Sequence, residues 1–405
     1  MSKRMIFDYL VTFLMLVVSG TVFATMLHGS LSIVIFFLVS LCYAAKYKEK
    51  FDKKQITYLY VYSIFLLMSA VFVGGFDNAA FNMVLGYILL ATGAFFIMQT
   101  ISFERFRYYY LNLTFFIALT SVVLYILWLQ NLISLTVVYG PLNDVYLMYF
   151  FNNFGWGYPF ERLAGPYWEP GVFQIILISA IMFYFNEISQ FKFNVPLGKI
   201  KLIVIVVAIL MTQSTAGYIN MFLVAIAAIM NMNITRRNFI KTFIVIILLI
   251  CGCFYLVTSD VYTEKMSRKG EKGYSYEIRK ADNLAMLNMT YQKPLLGYGI
   301  ASAEFAKTSR ELGNKSSSNG LLAVTSQLGC IFLLLYLWAL FNSVKKHYKK
   351  HTILVFLIFL MLQATEVFIF LPLSFVFLFA KARDADLCHE NIISENVISG
   401  DMRRI

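Results

Sequence analysis

Charge is what this chain of 405 residues has least of. Asp, Glu, Lys and Arg make up 14% of it, against about 25% in ordinary soluble domains. With 60% hydrophobic residues, that scarcity excludes a soluble globular class. Strict alternation of apolar and polar residues is also missing, which excludes a transmembrane β-barrel. Histidines number only four (His28, His347, His351 and His389) and are scattered, so no zinc or iron site can be assembled at normal ligand spacing. Neither a metal nor any other cofactor is expected. Of the five cysteines, Cys42, Cys251, Cys253 and Cys330 fall in apolar runs and Cys388 in the C-terminal tail. No pair faces an oxidising compartment, so no disulfide framework is expected. Ionisable groups are almost absent from the apolar runs themselves: Asp8 is near a helix start, Glu187 near a helix end and Glu366 in a predicted turn. Ion-coupled carriers need such groups near the bilayer midplane, so the pattern weighs against one and leaves an uncoupled flippase open.

What is present is a succession of long apolar runs, which predicts an all-α, polytopic membrane bundle. About 12 spans are expected, over 6–27, 30–45, 56–74, 83–100, 109–132, 171–188, 200–213, 217–232, 239–258, 319–343, 352–364 and 367–380. The last two are read as a hairpin, because Glu366 and Pro372 break the block. With the N-terminus inside, 23 of the 34 Lys and Arg lie in the termini and in the loops 46–54, 103–107, 191–201, 235–241 and 345–350. The positive-inside rule makes these segments cytoplasmic. The net charge of +12 therefore reports topology, and no nucleic acid is expected as a partner. The first run is too long for a signal peptide and lacks a small-residue cleavage site, so an uncleaved first span is expected. Residues 1–384 read as one integral-membrane domain and 385–405 as a cytoplasmic tail.

The remaining polar material sits in two segments predicted outside, about 133–170 and 259–318. Long loops in compact proteins are usually functional or disordered. The first holds Trp156, Tyr158, Phe160, Tyr167 and Trp168 among Asn and Gly. These aromatics fit an interfacial belt or platforms for sugar faces, and the sequence leaves both open. The second carries 10 of the 11 remaining Lys and Arg. Within it, residues 274–294 predict a helix with Ile278, Ala281, Leu284, Ala285 and Met289 on its apolar stripe, stopped by Pro294. Tyr274, Arg279 and Lys280 lie near its beginning, and Gly297 and Gly299 punctuate a tight turn after it. A cationic, aromatic pocket outside the membrane suits an anionic, lipid-attached ligand. Pyrophosphate matches the fork of an arginine.

Four stretches in order resemble one family. RLAGPYWEPGVF (162–173) is similar to the R-x-x-G-x-x-x-E-P-G segment of bacterial Wzy-type polysaccharide polymerases, in the O-antigen polymerase and ligase superfamily. LMTQSTAGYINMFL (210–223) resembles its T-x-S-R-x-G hairpin, with Thr215 and Ala216 where a basic residue often stands. EIRKADNLAMLNMTYQKPLLGYG (277–299) resembles its loop arginine followed by G-x-G. SSSNGLLAVTSQLG (316–329) occupies the place of its H-N helix start. The agreement covers residues 160–330.

The resemblance implies a GT-C-like, inverting, metal-independent glycosyltransferase in the bacterial cytoplasmic membrane. It would move a growing glycan from undecaprenyl pyrophosphate onto a lipid-linked repeat unit, building O-antigen, capsule or exopolysaccharide. A chain-length regulator is a further partner it suggests. Arg162 and Arg279 match the two loop arginines expected to hold pyrophosphate, and Glu169 is the candidate base for the acceptor hydroxyl. Glu169 would stand at a helix N-cap before Pro170, where an ordinary cap or an ion pair with Arg162 is the plainer reading. Gly165, Tyr167, Trp168, Tyr274, Lys280 and Asn319 are expected near the substrate, and Gly297 and Gly299 in a structural turn. The ligase branch carries a histidine near position 319; Ser318 and Asn319 stand here, which favours a polymerase over a ligase. The rival of another class is a glycolipid flippase. A structural scaffold would leave the arginines and the E-P-G segment unexplained.

Overall fold

The computed structural model describes residues 3–24, 29–47, 50–134, 136–139, 144–148, 151–152, 162–190, 193, 195–231, 271–314, 319–349 and 351–381. Five helices open the chain: α1 (Lys3–Val18), α2 (Gly29–Tyr47), α3 (Lys53–Met68), α4 (Asn78–Thr100) and α5 (Phe103–Leu129). A π-helical turn, Ser69–Val73, extends α3. Side-chain caps start three of them: Asp52 accepts from Lys54 N at 2.8 Å, Asp77 from Ala79 N at 3.0 Å and Ser102 from Arg105 N at 3.4 Å. Each cap satisfies a backbone N–H that the helix cannot. A small antiparallel sheet follows, β1 (Thr136–Tyr139), β2 (Asp144–Met148) and β3 (Phe151–Asn152), with Val137 opposite Tyr146 and Met148 opposite Phe151. The all-α expectation is corrected to this extent. TVVY and DVYLM are β-branched and aromatic, and Gly140 and Pro141 between them favour reversal of the chain.

The second half comprises α6 (Pro170–Phe183), α7 (Phe185–Ser189), α8 (Gly198–Met211), α9 (Thr215–Asn231), α10 (Glu271–Gln292), α11 (Ala303–Glu311), α12 (Gly320–His347), α13 (Thr352–Thr365) and a single turn, α14 (Val376–Phe379). Helix α6 buries every residue except Gly171, as befits a helix that is apolar all round. Among the described residues, five helices are long and apolar enough to cross a membrane: α2, α3 with its π turn, α4, α5 and α12. Helices α6, α9 and α13 are apolar but shorter. The expected span over 239–258 lies outside the described residues.

The end of the chain departs from the expected helical hairpin. Helix α13 stops at Glu366, which is extended (φ −151°, ψ 160°), and the chain returns through irregular backbone, a 3₁₀ turn at Pro372–Phe375 and α14. Irregular backbone is tolerated at membrane depth only when protein covers it and satisfies its polar groups. Both conditions hold. Phe368, Ile369, Phe370, Leu373 and the run Phe375–Ala380 are buried. Leu373 N donates to Ser19 Oγ at 3.1 Å, beside the end of α1. At the opposite end, Gln99 Nε2 donates to Phe379 O and Gln55 Nε2 to Ala380 O, each at 2.7 Å. Replacing Gln55 or Gln99 with Leu leaves a buried carbonyl unpaired, a cost of about 1–3 kcal/mol. Both variants are expected to unfold at lower temperature in detergent, with no change in substrate binding by the folded fraction.

The charges that do enter the helices are tied at the end where α1 and α5 begin. Asp8 is fully buried and accepts from Tyr43 at 2.5 Å and from Arg105. Arg107 pairs with Glu187 at 2.5 Å. The site described next lies at the other end.

Candidate functional site

The RLAGPYWEPG stretch is held from two sides before it reaches α6. Leu163 N donates to Met211 O at 3.0 Å, at the end of α8. On the other side, Val22 N donates to Pro166 O at 2.9 Å and Trp168 N to Gly20 O at 3.2 Å, just past α1. Leu163, Ala164 and Tyr167 are fully buried. The loop is therefore a rigid platform, and it carries half-buried Arg162 and Glu169 at its two ends.

Glu169 does stand at the N-cap of α6 with Pro170 at the first turn, but its side chain makes no capping hydrogen bond. Its Oε1 instead accepts from Trp168 Nε1 at 3.3 Å, and it interacts electrostatically with Arg162. Burial pulls the Arg162 guanidinium down from its ordinary range; Glu169 opposes that shift and Arg279 adds to it. The two arginines therefore feel each other as well as the carboxylate.

Arg279 arrives from α10, whose position is fixed by the turn after it. Helix α12 breaks at Gly329 (φ 79°, ψ 171°), which frees carbonyls one turn earlier. The PLLGYG turn takes them up: Tyr298 N donates to Ser326 O at 3.0 Å and Gly299 N to Gln327 O at 2.9 Å. Gly297 (φ +67°) lies so close that a Cβ would stand 2.5 Å from the Gln327 backbone, and at Gly299 (φ +87°) one would stand 2.8 Å from Gly74. Both glycines serve the turn, at a conformation other residues avoid. The buried face of α10 is Asp282, Ala285, Met286 and Met289, against α12 and Tyr298. The expected stripe is thus corrected by rotation: Ala281 and Leu284 are exposed, Ile278 is half-buried and Asp282 points in. Packing on the broken α12 sets this face, which a count of apolar residues does not foresee.

Glu366 is the site residue that sequence reasoning missed. Its side chain is 10% exposed, with Oε1 4.0 Å from Arg279 Nη2, and it is within hydrogen-bonding reach of Glu169. Burial, and then the Glu169 carboxylate, push its pKa well above the usual carboxylate range; Arg279 opposes them. The trace in the sequence is the glycine of E-P-G. A Cβ on Gly171 would stand 2.7 Å from Glu366 Oε1, so only glycine leaves the carboxyl its seat. Gly320, at the start of α12, likewise faces the backbone carbonyls of Glu366 and Gln363. A raised folded pKa means that stability falls as pH rises from the unfolded value, near 4.5, up to the folded one. Glu366→Gln is therefore expected to raise the unfolding temperature more at pH ~8 than at pH ~5, read by thermal denaturation at both.

The other expected site residues are placed as follows. Tyr167 is fully buried and stacks on Phe173, with centroids 5.5 Å apart, so its ring faces no ligand. Gly165 is buried beneath the same Phe173 ring. Trp168 is half-buried and keeps its N–H on Glu169. Lys280 is exposed on α10. Tyr274 falls in α10, but its side chain lies outside the described residues, as do Trp156, Tyr158 and Phe160. Asn319 caps α12, its Oδ1 accepting from Leu321 N at 3.1 Å and Leu322 N at 3.2 Å. About a turn inside α6, α9 and the end of α13, buried Gln174, Asn220 and Gln363 leave side-chain atoms without a hydrogen-bond partner. Unpaired buried amides mark space for water or ligand. Among the described residues, no group of His, Cys, Asp and Glu could hold a metal ion.

Two arginines and two carboxyls from three separate segments thus meet at one end of the bundle. No curated protein and no solved structure matches the chain. A family model described as O-antigen ligase matches residues 200–337, from α8 into α12. The match includes Arg279, Gly297, Gly299 and Asn319, while Arg162, Glu169 and Glu366 lie outside it. With its apolar helices the chain is an integral membrane protein, and over residues 200–337 it is similar to the O-antigen ligase family.

Proposed function

We propose that the protein is a polysaccharide repeat-unit polymerase, acting at the outer face of the bacterial cytoplasmic membrane. The observation that carries this reading is the meeting of Arg162, Glu169 and Arg279 on rigidly held segments. The donor is a glycan on undecaprenyl pyrophosphate and the acceptor a hydroxyl of a second lipid-linked unit. Glu169 takes the acceptor proton as the oxygen attacks the anomeric carbon from the face opposite the leaving group. The anomeric C–O bond breaks, its electrons pass to the pyrophosphate, and the linkage inverts. Arg162 and Arg279 stabilise that developing charge, so the step needs no metal. Of the two aromatics in the loop before α6, Trp168 is in reach of a sugar and buried Tyr167 is not.

The family description favours a second reading, a ligase that delivers the glycan to a different acceptor. Against it, the ligase pattern has a histidine near position 319, where Ser318 and Asn319 stand here, and the Asn319 oxygen is spent on capping α12. A flippase would need a polar route across the bundle. The buried wall of α6 from Ile175 to Phe183, apolar apart from Ser179, lines no part of such a route. Purified protein supplied with lipid-linked repeat units alone is expected to build a ladder of multimers. Transfer only when a different acceptor is added would favour the ligase, and movement between leaflets without any new bond would favour the flippase.

A further inference from the structure

We propose that Glu366 is a positioning residue for this transfer: its carboxyl, seated beside the N-termini of α6 and α12, hydrogen-bonds Glu169 and aims it at the acceptor hydroxyl. The proposal rests on the reading of Glu169 as the base and adds what orients it. Three observations carry it. Glu169 stands at an N-cap yet does not cap, so something other than the helix directs its side chain. The seat of Glu366 is built: Gly171 leaves room for its carboxyl and Gly320 for its backbone. And Glu366 is buried, with Arg279 4.0 Å away on the side that the substrate phosphate would occupy.

Two carboxyls in hydrogen-bonding contact cannot both ionise at little cost, so the pair holds one proton. The charged groups facing Glu366 are Glu169, from the loop before α6, and Arg279, from α10; Arg162 acts on it through Glu169. Helices α9 and α13 carry no charged residue, and α12 carries its Lys and His only in its last turn. Burial and Glu169 outweigh Arg279 and leave the proton on Glu366. A protonated Glu366 donates to Glu169, and the proton from the acceptor goes to Glu169 while Glu366 keeps its own. As pH rises and Glu366 ionises, the donor is lost and two carboxylates repel.

The test is the initial rate of chain growth by the full-length protein in lipid vesicles, with purified lipid-linked repeat units, over a range of pH. Glu366→Ala is expected to slow growth about tenfold to a hundredfold. Glu366→Gln keeps an N–H donor, so it is expected to recover most of that loss and to lack the alkaline fall of the wild type. Gly171→Ala displaces only the tip of the Glu366 side chain. It is expected to slow growth as Glu366→Ala does, with the protein still folded, which keeps the test open if Glu366→Ala does not fold. Wild-type rates from Glu366→Ala or Gly171→Ala would overturn the proposal. So would a Glu366→Gln variant as slow as Glu366→Ala, or one that keeps the alkaline fall. Glu169→Gln in the same assay separates the two ideas: inactive Glu169→Gln beside a fully active Glu366→Ala sinks the positioning role alone, whereas active Glu169→Gln sinks the base as well.

Discussion

Glu169→Gln is expected to bind lipid-linked repeat units as the wild type does and to extend them more slowly by about a hundredfold to ten-thousandfold, the usual worth of a general base. The size of that loss separates chemistry from architecture. An N-cap contributes about 1 kcal/mol, and glutamine could replace most of a cap or a neutral contact. Here no cap exists to be lost, because the Glu169 side chain makes no hydrogen bond to the first turn of α6. Its contacts are Trp168, Arg162 and Glu366. Glutamine keeps an oxygen for the Trp168 N–H but cannot take a proton. Binding of labelled donor, thermal unfolding and initial rate on one preparation would check this. A rate within twofold of wild type would return Glu169 to a structural role.

Arg162→Lys and Arg279→Lys are each expected to cost about a hundredfold in rate, the scale of losing one oriented donor to a developing anion. Lysine keeps the charge but gives up the planar fork that fits two phosphate oxygens at once. The two positions differ in how their guanidinium groups are held. Arg162 stands on a loop tied by backbone bonds to α8 and to the end of α1. Arg279 projects, half exposed, from α10, and that helix is anchored through the PLLGYG turn. Arg162→Lys should therefore leave the unfolding temperature almost unchanged, and Arg279→Lys should do the same. In the proposed reaction both arginines hold one phosphate group, so the double variant should lose less than the product of the single losses. Near-wild-type chain growth by both lysine variants would mark them as surface charges.

The membrane class was legible because apolar runs of helical length leave few alternatives, and α2, α4, α5 and α12 begin and end close to the expected bounds. The grouping of Arg162, Glu169 and Arg279 was legible through motif order. What stayed hidden depends on tertiary contact. Glu366 looked like a helix breaker in an apolar block, and its meeting with Glu169 is visible only once Gly171 is seen to leave it room. Tyr167 looked like a sugar platform because nothing in its neighbours says that the loop folds over Phe173. The return segment after Glu366 looked like a span, since its residues are as apolar as those of a helix. Its backbone is satisfied instead by Gln55, Gln99 and Ser19 from helices far earlier in the chain. The face of α10 was misjudged for a similar reason: the break at Gly329 decides which side it packs.

In the proposed reaction this charged group transfers glycan with pyrophosphate as the leaving group and no metal. One measurement meets it directly. Purified protein in vesicles is given a single labelled, lipid-linked repeat unit with a chelator present, and the lipid products are separated. One undecaprenyl pyrophosphate is expected for every linkage formed, at a rate that the chelator does not change and that Glu169→Gln lowers by about a hundredfold or more. Linkages that stop on chelation, or labelled lipid that crosses the bilayer with no pyrophosphate carrier released, would contradict it.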